Sequence, residues 1–364
     1  MWAMQLSFRS LALAVIALNP GCDSRPSAAG QDLELAPADT IVPAGSPVFA
    51  GPSEITVDPN GLLFVTDFDA KTILVLDSMG SVLRTIGRSG AGPGEFGRPR
   101  GARVLQDTLR VLDDENGRIA LFTSDGQFIR VEPMPQGANA GILNFCPQGG
   151  ALLALNGRYG ALAQRIGPNA SHRQQFGAVV APAPDAWNFT AIKQEIFDGR
   201  VPAVLRNMTR PVCGADGAAW LILEAEARLE RYSPADSLQW RRTLDEPEFA
   251  VIKAEFFAAN RRDSAGFRFT TLSYVADAQE VTAQLWLLLR EPASAPAAIL
   301  VFDPAGVALR KLQVPGAHGI RRFAVDALRR RLYLLAQDEA VILRAALPAA
   351  AVAQPNPALQ LTRP

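Results

Sequence analysis

The chain has 364 residues, with 36 basic and 36 acidic side chains and a hydrophobic fraction of 48%. That balance removes the electrostatic argument for DNA, RNA or an anionic membrane surface as a partner. The apolar content suffices for two ordinary domains or one large β domain, and no stretch after residue 30 is long and apolar enough to span a bilayer.

The first element in chain order is a short apolar run, residues 11–18, with Arg9 as the only charge before it. It is too short to span a membrane and suits a secretory signal core. It ends at Asn19-Pro20-Gly21-Cys22-Asp23, and a polar Ser/Pro/Gly/Ala stretch follows. The Gly-Cys junction resembles a bacterial lipoprotein signal, in which the cysteine, here Cys22, becomes the lipidated first residue. Leu18 sits one position early for that pattern and Asn19 stands where an aliphatic residue belongs, so cleavage after Ala29 is the alternative. Export is expected on either reading. Residues 1–21 are read as the signal peptide and 22–32 as a flexible linker, with the mature protein periplasmic or on the cell surface and anchored through Cys22.

From residue 33 onward the chain repeats itself. Residues 55–67 read as a strand, an Asp58-Pro59-Asn60-Gly61 turn and a second strand; residues 72–84 give a third strand, an Asp77-to-Gly80 turn and a fourth. Four short antiparallel strands joined by hairpin turns make one propeller blade. The pattern returns over residues 101–130, in worn form from Asn144 with outer strands near Ala163 and Gln175, over 212–240, over 284–310 and over 323–344. The sixth copy runs into a Pro/Ala-rich stretch before its outermost strand is written. A ring must close, because an open blade leaves an unpaired edge. Leu33-Glu34-Leu35, extended by Thr40-Ile41-Val42, is expected to supply the missing strand. Two stretches break the repeat with helix-like apolar spacing, residues 185–206 and 249–263, the latter carrying Phe249, Ile252, Phe256 and Phe257. They read as insertions over one face, either shaping a binding mouth or extending the packing.

Two segments carry a family likeness. Val111-Leu112-Asp113-Asp114-Glu115-Asn116-Gly117-Arg118-Ile119 has an Asp-x-x-Asn-x-Arg-Ile spacing. Residues 86–96, with Gly90, Gly92, Gly94 and Phe96, followed by Pro99 and Gly101, have the composition of a blade-to-blade loop. Together with the sixfold recurrence, these resemble the bacterial six-bladed NHL-repeat-like propeller lipoproteins over residues 33–347. The resemblance implies an all-β, six-bladed β-propeller, its last blade closed by an N-terminal strand, with small helical insertions and a disordered tail over 348–364. The loop's glycines are expected to take positive φ, Phe96 to wedge between sheets, and Asp113 and Asn116 to bond backbone amides in the turn. Phosphate binding by the glycines does not fit, since the loop lacks the G-x-x-x-x-G-K-[ST] spacing and opens a strand rather than a helix.

The chemistry is sparse. His172 and His318 are the only histidines, too few for a three-histidine zinc site, and His318 reads as a turn residue. Arg100, Arg210 and Arg321 or Arg322 fall near equivalent rim positions of blades two, four and six. Converging guanidinium groups would attract a carboxylate, a phosphate or an acidic sugar; the plainer outcome is that each pairs with a neighbouring carboxylate or reaches water. Glu54, Asn144 and Asn207 stand near the starts of innermost strands and form the metal set of an alternative reading, a calcium-dependent lactonase-type hydrolase using the central channel. Cys146 and Cys213 take equivalent places in blades three and four; an oxidising compartment permits a bridge, and two buried thiols are the other state. The reading is therefore an exported, membrane-anchored, monomeric binding module for a protein, peptide or glycan partner. It needs no cofactor and no catalytic residue, and it takes no nucleic acid.

Overall fold

A computed structural model of the chain describes residues 31–105, 107–135, 142–168, 173–182, 188–262, 269–292 and 295–352. The signal-like segment with Cys22, His172, part of the first helical insertion and the end of the tail lie outside these residues. Among the described residues, no helix is long and apolar enough to cross a membrane.

Where the repeat begins, local chemistry sets the turns. Asp58 accepts from the Leu62 amide at 2.8 Å, and Gly61 takes a positive φ of 86°, open to glycine at little steric cost. Asp77 repeats the device on the Met79 and Ser81 amides. The strands so formed build six sheets, each with four antiparallel strands, and one sheet carries a fifth, parallel strand. Their first strands are Pro52–Val57, Pro99–Leu105, Leu143–Phe145, Thr209–Cys213, Val275–Val281 and Ile320–Asp326. Each packs against the first strand of the next sheet, and the sixth packs against the first. That is a six-bladed propeller with these strands around its axis.

Burial follows from the radial arrangement. Second and third strands lie between neighbouring blades and are mostly apolar and buried, as in Gln284–Leu289 and Ala297–Phe302, where every residue is buried, although the third strand of blade four also encloses Glu230 and Arg231. Outer strands such as Phe128–Pro133 are largely exposed. The core is divided into six apolar clusters, one at each junction between adjacent blades. Arginines reinforce several junctions by reaching turn carbonyls of the next blade. Arg84 bonds Ser124 O at 2.8 Å, Arg165 bonds Gly217 O at 3.0 Å, and Arg344 bonds Ser78 O at 3.0 Å. Cys146 and Cys213 form a disulfide across the junction of blades three and four, with Cα atoms 5.3 Å apart.

Closure differs in detail from the sequence expectation. The outermost strand of blade six is Asp39–Val42, antiparallel to Val341–Ala346, and Arg344 grips Asp39 at 2.9 Å. Leu33 and Glu34 take no part in it. They belong to the strand Gln31–Glu34, which adds to blade five as a parallel fifth strand against Ala308–Val314. The physical reason is edge protection: the incoming chain passes the open rim of blade five and covers it before reaching blade six. Leu35 is then buried between these two blades. This strand begins inside the segment read as linker. The segment read as a disordered tail opens with a short turn, Ala349–Ala351, and Ala351 and Val352 are buried in the same cluster.

Both insertions are helical. Helices α1 (Phe189–Phe197) and α2 (Ala203–Arg206) join blades three and four, and α3 (Pro247–Arg262) follows blade four. Asn188 caps α1 by accepting from the Ala191 amide at 3.1 Å. Phe249, Ile252 and Phe256 are buried against blades four and five.

The glycine-rich loop over residues 86–96 is a structural clasp. Phe96 is fully buried at the junction of blades one and two, 5.5 Å from the Phe122 ring. Gly90 and Gly94 take φ of 152° and 75°. Gly92 does not adopt a positive φ; its amide is instead held by Glu95 Oε2 at 2.8 Å and its carbonyl by Arg118 at 2.9 Å. Asp113, with no exposed surface, accepts from the Gly97 and Arg98 amides at 2.9 Å each, from Asn116 at 2.7 Å and from Arg118 at 3.1 Å. Removing that carboxylate leaves buried donors and a cation without their partner. Asp113→Ala is expected to lower stability by about 3 kcal/mol. Urea unfolding checks this, and a change within about 0.5 kcal/mol would show that the clasp is dispensable.

Candidate functional site

In an up-and-down blade, the links between blades and the turns joining second to third strands emerge on one face. Both helical insertions and the glycine-rich loop are on that face, and so is the mouth of the central channel. Two concavities open there. The first is a cup of 650 Å³ over blades six, one and two, carrying Glu54, Asp69, Arg98, Arg100, Arg322 and Asp338. The second is a cleft of 820 Å³ between α1, α2, α3 and blade four. Its charged walls are largely self-paired: Arg206 bonds Glu226 at 2.6 Å, and Glu195 accepts from the Ala203 amide at 3.2 Å. Tyr274 packs on Phe249 with ring centroids 4.6 Å apart.

The structure separates the arginines that the sequence grouped. Arg210 is largely covered, its side chain 15% exposed, bonded to Glu224 at 2.9–3.0 Å and 3.8 Å from Asp277. Burial opposes its charge, but Glu224, Asp277 and the more distant Glu54 outweigh that and raise its pKa above the ordinary arginine value. It is a channel ion pair, the plainer of the two outcomes weighed for it. Arg321 stands 3.8 Å from the exposed Asp338. Arg322 reaches the cup and, among the described residues, donates to backbone, to Arg321 O at 2.9 Å and Ala276 O at 3.3 Å. Arg100 bonds Asp114 Oδ2 at 3.0 Å with its side chain 50% exposed.

Two groups at the mouth were not singled out from sequence. Arg98 Nε donates to the other oxygen of Asp114, whose carboxylate is fully enclosed. One buried anion therefore aims two half-exposed guanidinium groups into the cup. The signal was present in the doubled acid Asp113-Asp114: the first closes the clasp and the second faces the channel mouth.

The metal set of the alternative reading does not assemble. Asn207 is fully buried, its Oδ1 accepting from the Val180 and Ala181 amides at 2.8 and 3.3 Å while its Nδ2 donates to Ala181 O at 2.8 Å. That amide anchors the link leading into blade four and has no oxygen to offer a cation. Asn144 Oδ1 accepts from the Cys213 amide at 3.3 Å. Glu54 alone of the three faces the cup. Among the described residues, no group of three His, Cys, Asp or Glu side chains is placed to hold a metal ion.

A family model described as a 6-bladed beta-propeller matches residues 49–148, which cover blades one and two and the start of blade three. No curated protein matches the chain significantly. Among solved structures, the chain is similar to a streptogramin B lyase at 12% identity, over 85% of this chain and 97% of that one, with a TM-score of 0.48. It is also similar to regucalcin, a calcium-binding protein from Agrobacterium tumefaciens, at 10% identity over 89% and 99% of the two chains, TM-score 0.48. A putative exported protein from Bacteroides fragilis aligns at 11% identity over 88% and 98%, TM-score 0.49.

One further carboxyl on this face escaped the sequence reading. Glu291, just past the second strand of blade five, accepts from the Gly319 amide at 3.1 Å through Oε2, while its Oε1 is buried without a partner among the described residues. Burial pushes its pKa from the ordinary 4.5 up to about 7, against the opposing pull of the Gly319 amide, His318 and Arg321. His318 itself is exposed, its Nδ1 3.2 Å from Ala295 O, as befits a turn residue. Between pH 4.5 and 7 the folded chain holds a proton on Glu291 that the unfolded chain releases. Stability therefore falls as pH rises through that window, and the cost is fully present above it. Glu291→Gln, which keeps the shape without the charge, is expected to melt higher than the parent at pH 8 and to lose that advantage by pH 4.5. Melting curves at the two pH values decide it; an advantage that does not change with pH would contradict the assignment.

Proposed function

We propose that this chain is an exported, membrane-anchored binding module that takes a protein, peptide or glycan partner at the channel-mouth face, without catalysing a reaction. The observation that carries the reading is the cup, where Arg98, Arg100 and Arg322 present guanidinium groups that the fold does not neutralise fully. Half-exposed guanidinium forks held from behind are prepared to grip an oxyanion with little loss of side-chain freedom. The rigid disc and its clustered links supply the surface around them. Calcium-dependent hydrolysis fits less well, because Asn207 is engaged by backbone amides.

Binding is testable on glycan and peptide arrays probed with the labelled protein. At least one ligand is expected to bind, and Arg100→Ala with Arg322→Ala is expected to weaken it about tenfold, in the range of a lost charged hydrogen bond. Arg98 remains on Asp114 in that variant, so the buried carboxylate keeps a partner. No bound ligand, or binding indifferent to both substitutions, would overturn the reading.

Export and anchoring rest on the signal-like N-terminus and the Gly21-Cys22 junction, and the disulfide suits an oxidising compartment. In cells fed labelled palmitate, the chain is expected to carry label and sediment with membranes, and Cys22→Ser to do neither. Label retained by Cys22→Ser would place the lipid elsewhere; no label on the parent would remove the anchor.

A further inference from the structure

The cup holds charges of both signs that do not pair with one another. Arg98 and Arg100 share the single buried carboxylate of Asp114, which leaves their pair with a net positive charge, and among the described residues Arg322 is held by backbone carbonyls. Across from them, Glu54 is half-buried on the innermost strand of blade one, and Asp69 is exposed on the turn of the same blade. Among the described residues neither carboxylate makes an ion pair within 4.0 Å or accepts a side-chain hydrogen bond. Opposite charges on mobile side chains in one small cup would be expected to collapse onto each other. Here the scaffold keeps them apart. Asp114 pins the two arginines from behind, and the backbone of Glu54 is set by its strand. Asp69 lies against Gly51, where a Cβ would strike its carboxylate.

We infer that the cup takes a small zwitterion, an amino acid or short peptide with free amino and carboxyl groups. Its carboxylate sits between Arg98 and Arg100 and its ammonium against Glu54 and Asp69. This deepens the binding-module reading and rests on it. A simple anion would gain the arginines but meet Glu54, Asp69 and Asp338; a simple cation would meet three guanidinium groups. A ligand carrying both charges meets neither penalty and satisfies both sets. The volume of 650 Å³ is within the usual range of small-ligand pockets, about 300–1,000 Å³. Its open rim leaves room for a chain to extend along the face.

The test is a calorimetric titration of the full chain with trialanine, N-acetyl-trialanine and trialanine amide. Free trialanine is expected to bind, and each blocked form to bind about tenfold more weakly or worse, the scale of one charge-assisted contact. Arg100→Ala is expected to remove the preference for the free carboxylate over the amide while keeping the preference for the free amine. Glu54→Gln with Asp69→Asn is expected to do the converse. These positions line an open cup, so unchanged melting temperatures verify that the variants are folded. Blocked forms that bind as well as free trialanine would overturn the zwitterion. Trialanine failing while an array ligand without an amine binds through Arg100 would overturn it too, and would leave the binding module standing. Failure of both would take down the module with it.

Discussion

A ring of sheets cannot stop one joint short. Every blade of this protein buries the faces of its middle strands against two neighbours, so the apolar runs in blades six and one are stable only if those blades meet. The strand Asp39–Val42 makes that meeting permanent: it completes blade six by backbone pairing, and Val42 enters the cluster shared with blade one. The approach is close enough that a Cβ on Gly80, in a blade-one turn, would collide with the carbonyl of Ile41. The channel mouth, the helical insertions and the cup over blades six, one and two all presuppose this joint. Its consequence is that segments more than 300 residues apart in sequence share one sheet, and the cup sits directly beside their seam.

Charge has two distinct uses in the disc. Many arginines reach across a junction to a carbonyl or carboxylate of the next blade, as Arg165 does with Asp236 at 2.8 Å and Gly217 O at 3.0 Å. Half-buried acids do the same from the other side: Glu280 of blade five accepts from Trp220 Nε1 of blade four at 3.0 Å, and desolvation raises its pKa. Such contacts fix the angular position of one sheet against another, which apolar packing alone specifies weakly. The cup departs from this economy of pairing. Arg98 and Arg100 there share one enclosed carboxylate, while Glu54 and Asp69 in the same concavity make no ion pair within 4.0 Å among the described residues.

Much of the fold was legible because propeller blades are local objects. Each strand-turn-strand unit is written within a dozen residues, and the turn chemistry of Asp58 to Gly61 and Asp77 to Gly80 states where the chain reverses. The helical spacing of Phe249, Ile252 and Phe256 was equally local and equally visible. The clasp around Asp113 was readable as structural from its residue types, although Gly92 serves it through its amide and carbonyl rather than through an unusual φ. Leu33 and Glu34 went to the wrong edge, because strand pattern marks a segment that wants a partner without naming the partner.

From sequence alone, the number of blades, their order and the presence of a closing N-terminal strand were determined, since these rest on periodicity and on turns whose partners are a few residues away. Tertiary structure alone decided which arginines are free. Arg100 and Arg210 occupy similar places in their repeats, yet one reaches the cup half-exposed and the other is held, largely covered, against Glu224 and Asp277. The difference lies in what neighbouring blades place opposite each side chain. Those neighbours come from distant parts of the chain, at distances that no spacing in the sequence encodes.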